Sequence, residues 1–110
     1  MASADAPVIS VNELKRVINA NDYTLVDVRT FDEHNSFNIG GSNIPINSLE
    51  ENMTLLNFDK PVICYCATGK RSDEAVKLIK RSFPSVTVYS LEGGLKAWAN
   101  ANEELKTIGN

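Results

Sequence analysis

The chain has 110 residues, 43% of them hydrophobic and 23% charged, with a formal net charge of −3. That length supports one domain with its own core and excludes two. The acidic balance argues against nucleic acid as a partner. No apolar run reaches the roughly 20 residues of a membrane span, and two cysteines with one histidine make neither a disulfide framework nor a structural zinc site.

Residues 1–7 are small and polar and read as a loose lead-in without the basic and apolar segments of a signal peptide. The expected location is cytoplasmic, with a periplasmic or organellar one left open. Ser10-Val11-Asn12-Glu13 is a capping box, with Ser at the cap and Glu three residues on. Val11, Leu14, Val17 and Ile18 recur at helical spacing and predict a helix from Val11 to about Ala20. Asn21-Asp22 is turn chemistry. Tyr23 to Val28 is β-rich and mostly apolar, which predicts a buried strand ending in Asp27 and Arg29. Thr30 to Asn35 predicts a short helix capped by Thr30, with Glu33 at its third position.

Gly40-Gly41 marks a turn, and Ser42 to Ile46 is extended, with Pro45 pointing to an edge or irregular strand. Ser48 to Leu56 predicts another short helix, capped by Ser48. Asp59-Lys60 turns the chain into a central strand, Pro61 to Tyr65. Ala75, Val76, Ile79 and Phe83, widened by Leu78, line one face of a helix that Pro84 ends. Val86 to Leu91 is the next strand. Gly93-Gly94 turns the chain, and Leu95, Trp98 and Leu105 mark a last helix. This alternation implies an α/β fold, a mainly parallel sheet with helices on both faces.

The chemistry concentrates in Cys66-Ala67-Thr68-Gly69-Lys70-Arg71-Ser72. Cys66 stands where the central strand ends, and the turn after it runs into the start of a helix. The first N–H groups of a helix lack partners inside it, and that end is electropositive. A thiolate held there is stabilised. Gly69 lets several amides converge on one centre, and Lys70 and Arg71 add two cations. The stretch reads as an anion-binding cup with Cys66 as nucleophile and Ala67 to Ser72 as its wall. Ligands in such folds bind at the carboxyl ends of strands, where Cys66 lies. Both cysteines read as reduced thiols, and Cys64, inside the strand, as structural.

Four pieces, Leu25-Val26-Asp27-Val28-Arg29, Asn43-Ile44-Pro45, Cys66 to Ser72, and Leu91-Glu92-Gly93-Gly94 with Trp98, resemble a rhodanese domain in order and spacing. The resemblance covers roughly residues 8–101. It implies a three-layer α/β/α fold with a five-stranded sheet over residues 8–103 and a tail over 104–110. It implies sulfurtransferase chemistry without a cofactor or metal. A sulfane sulfur passes from thiosulfate or a persulfide donor to Cys66, then to a thiol, cyanide or a partner protein. The loop from Cys66 to Arg71 is one residue shorter than in phosphatases and arsenate reductases that share the fold, which favours a sulfur atom over a tetrahedral oxyanion. Phe37-Asn38-Ile39 stands where many members have Gly-His-Ile. Ala67 stands where many thiosulfate-using members have Arg, so thiosulfate is expected to bind weakly. A sulfur carrier serving one partner, or a binding module without turnover, are the alternative readings.

Asp27 and Arg29 read as structural support, with Asp27 accepting hydrogen bonds that tie neighbouring loops. Arg71 is expected to brace the loop or hold donor oxygens, and Lys70 to act as a mobile charge. His34 has no visible partner and is expected at the surface. Trp98 is expected to pack against the sheet.

Overall fold

The structure, a computed structural model, describes residues 6–109 apart from 19 and 21, with side chains described as far as 101. Most of the expected lead-in, Asn21 of the first turn, the side chain of Leu105 and the final Asn110 lie outside the described residues.

The central strand β4 (Val62–Tyr65) is buried along its whole length. Side chains alternate across a strand, so each residue of β4 is committed to one of two faces. Val62, Cys64 and, just beyond the strand, Cys66 share a cluster with Leu49 and Met53 and with Val76 and Ile79. Those partners come from α3 (Leu49–Asn52), its following 3-10 turn, and α4 (Lys70–Ser82). Ile63 and Tyr65 share the opposite cluster with Leu14, Leu91 and Leu95. Leu14 belongs to α1 (Val11–Val17) and Leu95 to α5 (Gly94–Gly109).

The sheet has five strands, all parallel. Their order is β1 (Val8–Ile9), β5 (Val88–Leu91), β4, β2 (Thr24–Asp27) and β3 (Ser42–Asn43). The α/β class and the helix-covered parallel sheet are those the sequence predicts. Parallel strands end on the same side, and Asp27 stands in register with Tyr65. The residues that follow, Arg29 and Cys66, are therefore brought to one edge. The helix that follows Arg29, α2 (Phe31–Ser36), has both halves of the Thr30–Glu33 capping box and no buried residue.

Local differences from the sequence expectations have physical causes. β1 is an unpredicted edge strand of two residues, too short to show a pattern. Tyr23 and Val28 fall just outside β2. β3 stops at Asn43, and after Pro45 the chain turns into a 3-10 segment, Ile46–Ser48. Ser48 lies at φ −106° and ψ 2°, not the extended geometry of a capping residue, and its side chain makes no cap bond. The helix expected over Ser48 to Leu56 is thus broken into a single α turn flanked by 3-10 turns.

The Tyr65 hydroxyl ties the segment after α2 to the sheet. It donates to Gly40 O at 2.8 Å and accepts from Ile39 N at 3.3 Å. Tyr65→Phe removes both bonds without changing the ring. The expected loss is about 1 kcal/mol, read as a lower denaturant midpoint at unchanged slope. An unchanged midpoint would show that the clamp contributes nothing.

Candidate active site

The cup is built by the turn between β4 and α4. Gly69 caps α4 at φ 100° and so turns the chain back over Cys66. Gly69 N donates to Cys66 Sγ at 3.1 Å, and Ser72 N donates to it at 3.3 Å. The Cys66 thiol reaches Ser72 Oγ at 3.6 Å. Ser72 Oγ in turn donates to Gly69 O at 3.1 Å and meets Ser90 Oγ at 2.7 Å. Cys66 is 1% exposed, so its sulfur sits at the base of the turn.

The other side of the turn is held by α5. Leu95 N donates to Cys66 O at 2.9 Å, and Lys96 N donates to Ala67 O at 3.0 Å. These bonds satisfy two of the orphan donors at the start of α5. They also aim two loop carbonyls outward. In a trans peptide the N–H points opposite to the C=O, so the amides of Ala67 and Thr68 face away from α5. The contact demands glycine: a Cβ at Gly94 would lie 2.6 Å from both carbonyl oxygens, at φ +63°.

Each predicted site residue has a distinct place. Cys66, Gly69 and Ser72 are buried; Thr68 and Lys70 are exposed; Ala67 and Arg71 are intermediate. Arg71 does not reach freely over the cup. Its Nη1 donates to Glu33 Oε1 at 2.8 Å and its Nη2 to Glu33 Oε2 at 2.9 Å. Glu33 Oε1 also accepts from Thr30 N at 3.0 Å. The Arg71 hydrogen bond, helped by Thr30, pulls the Glu33 carboxyl down to about 2. Lys70 has no ion-pair partner among the described residues.

Asp27 and Arg29 form a second charged pair. Asp27 accepts from Arg29 N at 3.0 Å, from Nε at 2.9 Å and from Nη2 at 2.7 Å. Burial pushes the Asp27 carboxyl up, but the bonds from Arg29 and His34 outweigh it and leave it below its ordinary value. Arg29 Nη2 also donates to Phe37 O at the end of α2. Asn43 Nδ2 donates to the carbonyls of both Asp27 and Arg29 at 3.0 Å, locking the strand end.

The expectation that His34 lies unpartnered at the surface is corrected. Its Nδ1 is 2.9 Å from Asp27 Oδ2, and its side chain is 18% exposed. The turn of α2 aims it at the sheet edge, a contact that seven residues of sequence separation conceal. Glu33 as the partner of Arg71, and Ser90 as the partner of Ser72, were also missed. Glu33 was legible as a helix cap; nothing in the sequence marks Ser90.

Cys64 and Cys66 are both free thiols. Burial pushes Cys64 up to about 12, so it remains a neutral core thiol. Trp98 is partly buried against the α1–α5 side of the core, with Lys15 Nζ 5.3 Å from its ring centre. Among the described residues, no helix is long and apolar enough to cross a membrane, and no three His, Cys, Asp or Glu residues are grouped to hold a metal.

The Rhodanese-like domain profile matches residues 10–101. The chain belongs to the rhodanese-like family. It is 34% identical over 99 residues to the thiosulfate sulfurtransferase GlpE of Shewanella oneidensis, covering 86% of this chain and 93% of that protein. It is 35% identical over 75 residues to the uncharacterised protein YqhL of Bacillus subtilis, covering 67% of this chain but 59% of that protein. The crystal structure of a rhodanese-related protein from Thermoplasma volcanium superposes with a TM-score of 0.77 at 30% identity, covering 86% of this chain and 92% of that one. The family resemblance read from the four motifs, and the rhodanese-like fold, are thereby established.

Two measurements test this description. Gly94→Ala should lose more than the roughly 1 kcal/mol of a simple backbone penalty, because a carbonyl must move as well. Cys66 alkylation in the folded state should change with it, since the same contact sets the cup. Wild-type stability and alkylation rate would overturn the role given to α5. The second concerns acid. Glu33 and Asp27 are both depressed on folding, so each stabilises the fold above its ordinary carboxylate range and stops doing so as pH falls through the folded value. For Glu33 that window runs from its ordinary 4.5 down to about 2. Glu33→Gln should flatten the loss of stability across this window in pH-dependent denaturation. A profile that still falls as steeply would mean the Arg71 pair is too well solvated to matter.

Proposed function

We propose that the protein is a sulfurtransferase that carries sulfane sulfur as a persulfide on Cys66. One observation supports this most directly. The Cys66 sulfur is the centre on which the Gly69 and Ser72 amides converge, at 3.1 and 3.3 Å. Amides aimed at a sulfur stabilise its thiolate, which is both the nucleophile and the leaving group of sulfur transfer.

With thiosulfate, the Cys66 thiolate attacks the outer sulfur. A new S–S bond forms to Cys66, the old S–S bond breaks, and sulfite leaves with its electron pair. An acceptor thiolate or cyanide then attacks the terminal sulfur of the Cys66 persulfide. That sulfur departs on the acceptor and the Cys66 thiolate is regenerated. No oxidant or reductant is consumed. An alkyl persulfide donor follows the same steps, with an alkyl thiolate leaving in place of sulfite.

In this reading Ala67 and Thr68 supply the persulfide with amides that face away from α5, Ser72 supplies its backbone amide, and Lys70 supplies the cation available to an incoming anion. Asp27 and Arg29 hold the neighbouring strand end in place. Cys64 takes no part.

The test is the intact mass after incubation with thiosulfate or an alkyl persulfide. The wild type should gain one sulfur atom, lost on adding cyanide with release of thiocyanate. Cys66→Ser should gain none while remaining folded, since a hydroxyl is a far weaker nucleophile and holds no persulfide. Cys64→Ser should still gain it. No gain in the wild type from either donor, or an equal gain in Cys66→Ser, would rule the reading out.

A further inference from the structure

Arg71 is the loop residue best suited to an oxyanion, because a guanidinium can hold two oxygens at once. Its fork is already filled. Both terminal nitrogens bond the two oxygens of Glu33, and both side chains are 36% exposed. Arg71 lies in the first turn of α4, next to Ser72, whose amide bonds the Cys66 sulfur at 3.3 Å. A carboxylate therefore already occupies the guanidinium fork that an incoming oxyanion would use.

The element that carries Glu33 can give way. α2 has no buried residue, and Phe31 and Phe37 at its ends are exposed. It is tied down by polar bonds: Glu33 to Arg71, His34 to Asp27, and Arg29 to Phe37 O. Moving the Glu33 side chain uncovers no core. An exposed bidentate pair is also weak enough for a competing anion to replace.

We propose that Glu33 is a specificity-determining residue that sets the donor preference by occupying Arg71. In thiosulfate the oxygens are carried on the sulfur bonded directly to the transferred one. When the transferred sulfur meets Cys66, those oxygens arrive beside the loop and compete with Glu33 for the guanidinium. In an alkyl persulfide that position is a sulfur bearing carbon, and no competition arises. Glu33 thus disfavours oxyanion donors relative to alkyl persulfides. The inference rests on the sulfurtransferase reading for its consequence, but its physical core, competition for Arg71, stands without turnover.

Glu33→Gln isolates the charge. Gln serves in a capping box as Glu does, so the bonds with Thr30 are retained while the ion pair is lost. The first measurement is binding of sulfate, an unreactive dianion, read as thermal stabilisation at ionic strength held constant with sodium chloride. Glu33→Gln should bind sulfate roughly fivefold more tightly, the worth of one part-exposed bidentate pair. Adding Arg71→Gln should abolish that gain. The second measurement is the ratio of kcat/KM for thiosulfate to that for an alkyl persulfide, which should rise by a similar factor in Glu33→Gln, through KM for thiosulfate. A merely structural role would move both donors together. An unchanged sulfate midpoint, or a gain that survives Arg71→Gln, overturns the proposal. If sulfate behaves as expected but neither donor turns over in the wild type, the competition at Arg71 stands and the sulfurtransferase reading falls.

Discussion

The arrangement of this site depends on two hydrogen bonds that Cys66 does not itself make through sulfur. The first amides of α5 hold the carbonyls of Cys66 and Ala67. A helix start needs acceptors for its free N–H groups, and a loop that is to hold an anion, as proposed for this one, needs its carbonyls turned away from it. One contact meets both needs. It works because Gly93 and Gly94, both at positive φ, turn the chain into α5, and Gly94 lies against the loop at a distance that a side chain would forbid. The hydrophobic packing of Leu95 against Ile63 and Tyr65 keeps that helix in place. Core, turn and cup are in this sense one structure.

Charge at the sheet edge is arranged in closed pairs. Asp27 is shared by Arg29 and His34, and Glu33 is shared by Arg71 and the Thr30 cap. Each carboxylate is held by more than one donor, and both lie below their ordinary values, Glu33 at about 2. α2 is the bridge between the pairs. With no apolar anchor of its own, it is positioned by electrostatics, and its stability is more sensitive to pH and salt than that of the helices packed on the sheet.

Much of the fold was legible because it follows short-range rules. The Ser10–Glu13 and Thr30–Glu33 boxes announce their helices, and the apolar run 61–65 is a buried strand. Cys66 stood out because strand end, glycine turn and helix start coincide there. The unread parts are those where distance along the chain hides proximity. His34 looks solitary until β2 and α2 fold it back on Asp27. Arg71 looks like a spare cation until Glu33, 38 residues earlier, meets it. Ser48 fails as a cap for a different reason: Pro45 diverts the backbone into a 3-10 turn, where Ser48 has the wrong dihedral angles.

The two cysteines are nearly equally buried but have different backbone surroundings. They are two positions apart on one chain direction, so both side chains point into the same apolar cluster. Both are almost wholly buried. Burial alone makes a thiolate unfavourable, as it does at Cys64, where no donor offsets it. At Cys66 the strand has just ended, so the next amides are released from sheet pairing. The turn at Gly69 brings one of them back to the sulfur, and the first turn of α4 brings another. Both donors lie beyond the strand, in the turn and in the first turn of α4. The surroundings of the two sulfurs therefore differ not in exposure but in the backbone donors that reach them.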